Sequence, residues 1–207
     1  MFRYILNLMS INVNIMTVTY DIKCLQEYQI ISVQNFQDVN SQQRVLINDS
    51  IEKNYLKDPL SKGDTDNGYN FALHDDHTLF FSHLYEKYKR LCHKLFGNFH
   101  ITPQNKTTCW CYRSNVNESY DVWHNHLASS TINGVYYYQV EEDGIAFERE
   151  GKEFHYVPQQ GELLIFPNDL DHKPEKATSE NLRYSINMEI LTKESSSTLF
   201  NNLYGLS

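Results

Sequence analysis

The sequence predicts a mainly β fold, a two-sheet sandwich or jelly roll with one helix packed on its outside. Three observations lead there. From about residue 107 to 191, short runs rich in β-branched and aromatic residues follow one another between turn-forming clusters. A single amphipathic helical stripe stands ahead of them. The 207 residues suit one such domain and leave little room for a second catalytic one.

In chain order, residues 1–16 are apolar in patches (Phe2, Tyr4, Ile5, Leu6, Leu8, Met9), but Asn7, Asn12 and Asn14 interrupt them. No small-residue cleavage site follows, so the stretch reads as an N-terminal extension rather than a membrane span or signal peptide, with Met16 as an alternative start. Residues 17–106 are expected to hold lead-in strands, a loop and the supporting helix. Thr17–Tyr20 and Tyr28–Val33 are β-rich, Ser41–Ile51 is polar, and Asp58–Tyr69 gathers Pro59, Gly63, Asp64, Asp66, Asn67 and Gly68, which is loop chemistry. Asp75 and Asp76 then offer an N-cap, and Phe81, Leu84, Tyr85, Tyr88, Leu91, Cys92 and Leu95 form one stripe closed by Gly97. This predicts a helix over 78–96. The histidines around it (His74, His77, His83, His93, His100) are read as surface or half-buried residues without chemistry.

The core is expected over 107–191. Its strand-like runs are 107–113, 131–140, 145–150, 154–157, 162–167 and 182–191, separated by Glu142-Asp143-Gly144, Gly151-Lys152 and Gln159-Gln160-Gly161, and the His124 region supplies a seventh. Evenly spaced short strands favour two packed sheets, which also hide most strand edges. Residues 192–207 read as a C-terminal tail.

Composition bounds the partners. A net charge of -8 disfavours duplex nucleic acid, because neutralising many phosphates requires a surplus of Lys and Arg. Fifteen Tyr and 11 Phe argue for a globular chain. Cys24, Cys92, Cys109 and Cys111 lack CxxC spacing and are expected to be reduced thiols of a cytoplasmic protein with no membrane partner.

Chemistry concentrates in His124-Asn125-His126 and in His172. Residues two apart on an extended strand share a face, so His124 and His126 can reach one ion, and His172, delivered from a loop beyond the strand Gly161–Pro167, completes a triangular set with open positions opposite. The plain alternative is a coincidental HxH, with one histidine in the core and one at the surface. Eleven residues after His172, Arg183, Ser185 and Asn187 share one strand face while Tyr184, Ile186 and Met188 share the other. A buried guanidinium on that strand requires an anionic partner; the alternative is a surface arginine on an edge strand.

The order HxH, a glycine-led strand ending in Phe166-Pro167, His172, then Arg183-Tyr184-Ser185 resembles the 2-oxoglutarate and iron(II)-dependent oxygenase superfamily. Trp123-His124-Asn125-His126 followed by Asn133-Gly134-Val135-Tyr136-Tyr137 is similar to a branch of small oxygenase-like proteins known mostly from bacterial and phage genomes. The resemblance covers about residues 107–190 and implies a double-stranded β-helix, cupin-like, with iron(II) at its mouth and 2-oxoglutarate as cosubstrate. It implies that His124 and His172 are the two family histidines and that Arg183 with Ser185 pairs with the far carboxylate of 2-oxoglutarate, a match of guanidinium to carboxylate geometry. Tyr112 and Asn187 are expected beside them, and Trp110 and Tyr136 are candidates for the cavity wall.

His126 falls where that superfamily usually has Asp or Glu, so the expected metal set is His124, His126 and His172, one positive charge above the usual site. Asp121, Asp169 and Asp171 are the nearby carboxylates that would replace it. The activity implied is hydroxylation of a C–H bond with consumption of O₂ and release of succinate and CO₂. The primary substrate is open among peptides, nucleobases and metabolites. Two rival readings remain: a three-histidine cupin dioxygenase that does not use 2-oxoglutarate, and a non-catalytic jelly-roll binding module.

Overall fold

The computed structural model describes residues 8–15, 18–57, 70–75, 79–104, 108–117, 121–140 and 142–205. Its strands are β1 (Leu8–Ile15), β2 (Val18–Leu25), β3 (Ile30–Gln34), β4 (Asn70–Ala72), β5 (Cys109–Ser114), β6 (Ile132–Gln139), β7 (Ile145–Arg149), β8 (Lys152–Tyr156), β9 (Leu163–Pro167), β10 (Asp171–Pro174) and β11 (Arg183–Ile190). The helices are α1 (Ser41–Lys57), α2 (Phe80–Phe96) and α3 (Ser196–Tyr204). The strands form an eight-stranded sheet in the order β1-β2-β3-β9-β6-β11-β5-β4 and a three-stranded sheet in the order β10-β7-β8. All pairings are antiparallel, so this is the jelly-roll architecture the strand pattern predicts. Strands β2, β3 and β4, drawn from the stretch ahead of residue 107, extend the large sheet on both sides through the pairs β3–β9 and β4–β5.

Two hydrophobic cores follow from one sheet with two covered faces. On one face, Ile22, Val33, Tyr136, Tyr138, Ile165, Tyr184, Ile186 and Met188 pack under the helices. On the other, Leu164, Phe166, Val135 and Tyr137 meet Ile145 and Phe147 of the small sheet. Central strands buried on both faces lose the alternating pattern and read as continuous apolar runs, as β6 and β9 do. Gly134 on β6 is where the helix layer comes closest, since a Cβ there would lie 2.6 Å from Tyr88 Cε2.

Helix α2 buries Phe81, Leu84, Tyr88, Leu91, Cys92 and Leu95, the expected stripe, and ends at Gly97 with φ 75°. Asp75 caps it from a distance, its carboxylate accepting from the backbone N–H of Phe81 (2.8 Å) and Ser82 (3.0 Å). Asp76 and His77 lie outside the described residues.

Two helices depart from the sequence expectation. The polar stretch 41–57 is α1, whose inner face is thin: Ile47 and Ile51 are buried with Ser50 and Asn54, while Val45, Leu46 and Leu56 stay exposed. It starts with a reciprocal cap, Gln43 N–H donating to Asn40 Oδ1 (2.9 Å) and Asn40 N–H to Gln43 Oε1 (3.2 Å). The C-terminal stretch holds α3, capped by Ser195 and anchored by buried Leu199 and Phe200. Among the described residues no helix is long and apolar enough to cross a membrane.

Candidate metal centre

The backbone fixes the histidine segment before any ion is considered. His124 N–H donates to the carbonyl of His172 (3.0 Å) and His172 N–H returns a bond to the carbonyl of His124 (2.9 Å), an isolated antiparallel bridge that adds the HxH segment to the edge of the small sheet. His126 N–H donates to the Asn168 carbonyl (2.9 Å), and the Ser129 and Ser130 amides close a turn on the His126 carbonyl. His172 itself lies on β10 opposite Phe147 of β7. This corrects two expectations: His172 comes from a strand rather than a loop, and β10, not the His124 region, is the seventh strand of the core.

These constraints bring His124, His126 and His172 together, one ligand atom from each lying within 4.8 Å of the others. His172 is buried and the other two are half-buried. In His124 and His172 the Nδ1 atom is hydrogen-bonded to a backbone carbonyl, of Val122 (3.0 Å) and Leu170 (3.0 Å), and in His126 it lies within ion-pair distance of Glu189 Oε1 (2.8 Å). An acceptor at Nδ1 keeps the proton there and leaves the Nε2 lone pair for a metal, the usual way a tautomer is set. Burial, with the neighbouring imidazoles adding to it, holds the pKa of His172 well below the ordinary imidazole range. Burial also lowers that of His124. Rings kept neutral are rings able to ligate.

The cluster opens into a cavity of about 320 Å³ whose wall includes Trp110, Tyr112, Val135, Tyr137, Ser185 and Asn187. Arg183 reaches into the same cavity. It is only 2% exposed, its Nη1 donates to the Gly144 carbonyl at 3.3 Å, its guanidinium sits 5.5 Å from the Tyr112 ring centroid, and its Nε has no hydrogen-bond partner. Among the described residues it forms no ion pair. The choice between buried and exposed faces on β11 thus resolves with both buried: Tyr184, Ile186 and Met188 face the helices, while Arg183 and Ser185 face the space between the sheets. Tyr136 does not line the cavity. It points to the helix side, its hydroxyl donating to the Gln37 carbonyl (2.8 Å), and the parity of β6 gives the cavity Val135 and Tyr137 instead.

The alternative carboxylates are engaged elsewhere or exposed. Asp169 pairs with Arg149 (3.3 Å), Asp171 accepts from the Asn125 amide (2.8 Å), and Asp121 is exposed. The sequence reading missed Glu189, 2% exposed, whose Oε1 meets His126 Nδ1 and also accepts from the Ser129 hydroxyl (2.8 Å). Continuing the polar face Arg183, Ser185, Asn187 by one more step of two reaches it. Three imidazoles with ligand atoms within 4.8 Å of one another suit a borderline divalent metal, and a buried cation with an orphaned N–H suits an anionic ligand beside it.

Sequence comparison finds no matching protein-family model and no matching curated protein. Comparison of folds finds a prolyl 4-hydroxylase from Phytophthora capsici at 11% identity and a TM-score of 0.50, covering 82% of this chain and 60% of that one. A 2OG-Fe(II) oxygenase-family oxidoreductase from Burkholderia pseudomallei matches at 16% identity and a TM-score of 0.42 over 51% of this chain and 52% of that one. A Pseudomonas putida prolyl-4-hydroxylase matches at 14% identity and a TM-score of 0.33 over 42% and 54%. This chain thus spans between half and two thirds of the length of these structures. The Phytophthora likeness concerns the fold: the chain has a jelly-roll fold similar to that prolyl 4-hydroxylase, with a three-histidine cluster and a buried arginine in one cavity.

Proposed function

We propose that this chain is a 2-oxoglutarate- and iron(II)-dependent oxygenase that hydroxylates a C–H bond. One observation carries the reading: a buried guanidinium with an unpartnered Nε opens into the same cavity as three imidazoles whose ligand atoms lie within 4.8 Å of one another. His124, His126 and His172 would hold iron(II), and Arg183, with Ser185, Tyr112 and Asn187 around it, would take the far carboxylate of 2-oxoglutarate. Iron(II) with 2-oxoglutarate and O₂ supplies the oxidation, 2-oxoglutarate leaving as succinate and CO₂.

The protein's own work is to hold and orient. Arg183 compensates its buried charge with the cosubstrate carboxylate, so binding is favoured where the cavity is otherwise costly. Val135, Tyr137 and Ile145 keep water from the cavity floor. Cys24, Cys92 and Cys111 are free and buried, which agrees with a reducing, cytoplasmic setting where iron(II) persists. The primary substrate is a peptide, nucleobase or metabolite that enters from the mouth beside His124.

Calorimetry without oxygen tests this. The iron-loaded chain should bind 2-oxoglutarate, and Arg183→Ala should retain iron but lose roughly 2–5 kcal/mol of 2-oxoglutarate affinity. Iron-loaded protein that ignores 2-oxoglutarate, or an Arg183→Ala variant that binds it equally well, moves the reading to a three-histidine cupin dioxygenase or a binding module.

A further inference from the structure

The residue that makes a three-histidine centre workable lies one shell behind it. Three neutral imidazoles leave both charges of a divalent ion uncompensated, whereas the common two-histidine, one-carboxylate set offsets one of them. The nearest buried carboxylate to the cluster is on β11. Glu189 is 2% exposed, and its Oε1 lies 2.8 Å from His126 Nδ1, an ion-pair distance once the imidazole carries its proton there. The Ser129 hydroxyl donates to the same oxygen at 2.8 Å.

The carboxylate is held from behind. Glu189 N–H donates to the Thr108 carbonyl (3.0 Å), and the Tyr85 hydroxyl of α2 donates to the Glu189 carbonyl (2.8 Å). Its position at Nδ1 of His126 leaves Nε2 as the nitrogen available to an ion. The set of mutually close ligand atoms comprises the three imidazoles and not Glu189.

We propose that Glu189 is a positioning residue that fixes the tautomer and orientation of His126 and returns to the centre, through that imidazole, the negative charge that a directly ligating carboxylate would supply. The inference rests on the three-histidine metal reading. A carboxylate accepting from Nδ1–H raises the electron-donating power of Nε2, so it strengthens the metal bond and stabilises the more oxidised ion. In His124 and His172 the Nδ1 atom meets a backbone carbonyl instead.

The test titrates iron(II), without oxygen or cosubstrate, into the metal-free full chain. Wild type should take up one ion. Glu189→Gln, which keeps the size and one acceptor, should keep that stoichiometry with affinity weakened about 10–100-fold and with the Fe(III)/Fe(II) midpoint potential raised. Glu189→Asp should recover part of both. In the zinc-loaded wild type, ¹⁵N-histidine NMR should show His126 bound through Nε2 with Nδ1 protonated, a readout that needs no variant to fold. A folded Glu189→Gln with affinity and potential unchanged, or His126 bound through Nδ1, overturns the inference and leaves the metal site standing. Wild type that binds no ion overturns the metal reading itself.

Discussion

Replacing Arg183 by Met separates a cosubstrate-binding arginine from a structural one, because the two roles predict opposite changes in the unliganded protein. The guanidinium is 2% exposed, with one hydrogen bond at 3.3 Å to Gly144 and a 5.5 Å approach to Tyr112. Losing that long bond costs about 1.5 kcal/mol, the low end for a charged donor, and losing the distant cation–π contact about 0.5 kcal/mol. Against this stands the desolvation of an uncompensated cation, several kcal/mol in size, which Met relieves while filling similar volume. The unliganded variant should therefore be as stable as wild type or up to about 2 kcal/mol more stable, roughly 0–8 °C in melting temperature at this size. With iron bound and 2-oxoglutarate at a hundred times its wild-type dissociation constant, wild type should gain about 2.7 kcal/mol and the variant at most about 0.9 kcal/mol, what remains after an affinity loss of about 2 kcal/mol or more. Thermal melts with and without 2-oxoglutarate read both quantities. A loss of about 3–5 kcal/mol in the unliganded variant would mark a broken buried ion pair and overturn the cosubstrate role, as would a ligand-induced shift as large as that of wild type.

Three other outcomes follow from the same coordinates. Gly134→Ala puts a methyl 2.6 Å from Tyr88 Cε2, so urea denaturation should show a loss of about 1–3 kcal/mol, smaller in a background where Tyr88 is already Ala. Ser185→Ala should weaken 2-oxoglutarate binding by about 1.5–3 kcal/mol in calorimetry, less than Arg183→Ala does. The lowered pKa values of His172 and His124 mean that, below the unfolded value of about 6.5, the unfolded chain takes protons that the folded one refuses. Stability of the metal-free protein should hold through neutral pH and fall as pH drops below that value; melting temperatures flat from pH 7.5 to about 5 would contradict it.

What was legible in the sequence was whatever one buried face made periodic. Helix α2 shows itself because its stripe packs on a sheet and its back meets water, and the strands of the core show themselves through β-branched runs between turns. Helix α1 hid because its buried face is only Ile47, Ile51 and two polar residues, with Asn54 spending its amide on the carbonyls of Ser50 and His74. Its capping pair Asn40 and Gln43 was the visible signal. In β6 every residue from Ile132 to Tyr138 is buried, so the sequence could not say which tyrosines face the cavity. The register of β6 against β11 also shifts at the Tyr184–Ser185 step, where Tyr138 is skipped between the partners Gln139 and Tyr137. The histidine spacing pointed to one cluster, but Glu189 needed the partner strand: only the pairing of β11 with β6, and the turn after His126, bring it to the ring.

Whether the arginine and the histidines serve one bound molecule is the central claim, and the visible spectrum of the chain with iron(II) and 2-oxoglutarate under argon tests it most directly. Chelation of the metal by the keto and near carboxylate oxygens produces a charge-transfer band, while an anion held by Arg183 alone produces none. The band should saturate at one 2-oxoglutarate per iron, persist at higher 2-oxoglutarate concentration in Arg183→Ala, and be absent when His172 is replaced by Ala. No band in wild type at saturating iron and 2-oxoglutarate would contradict it.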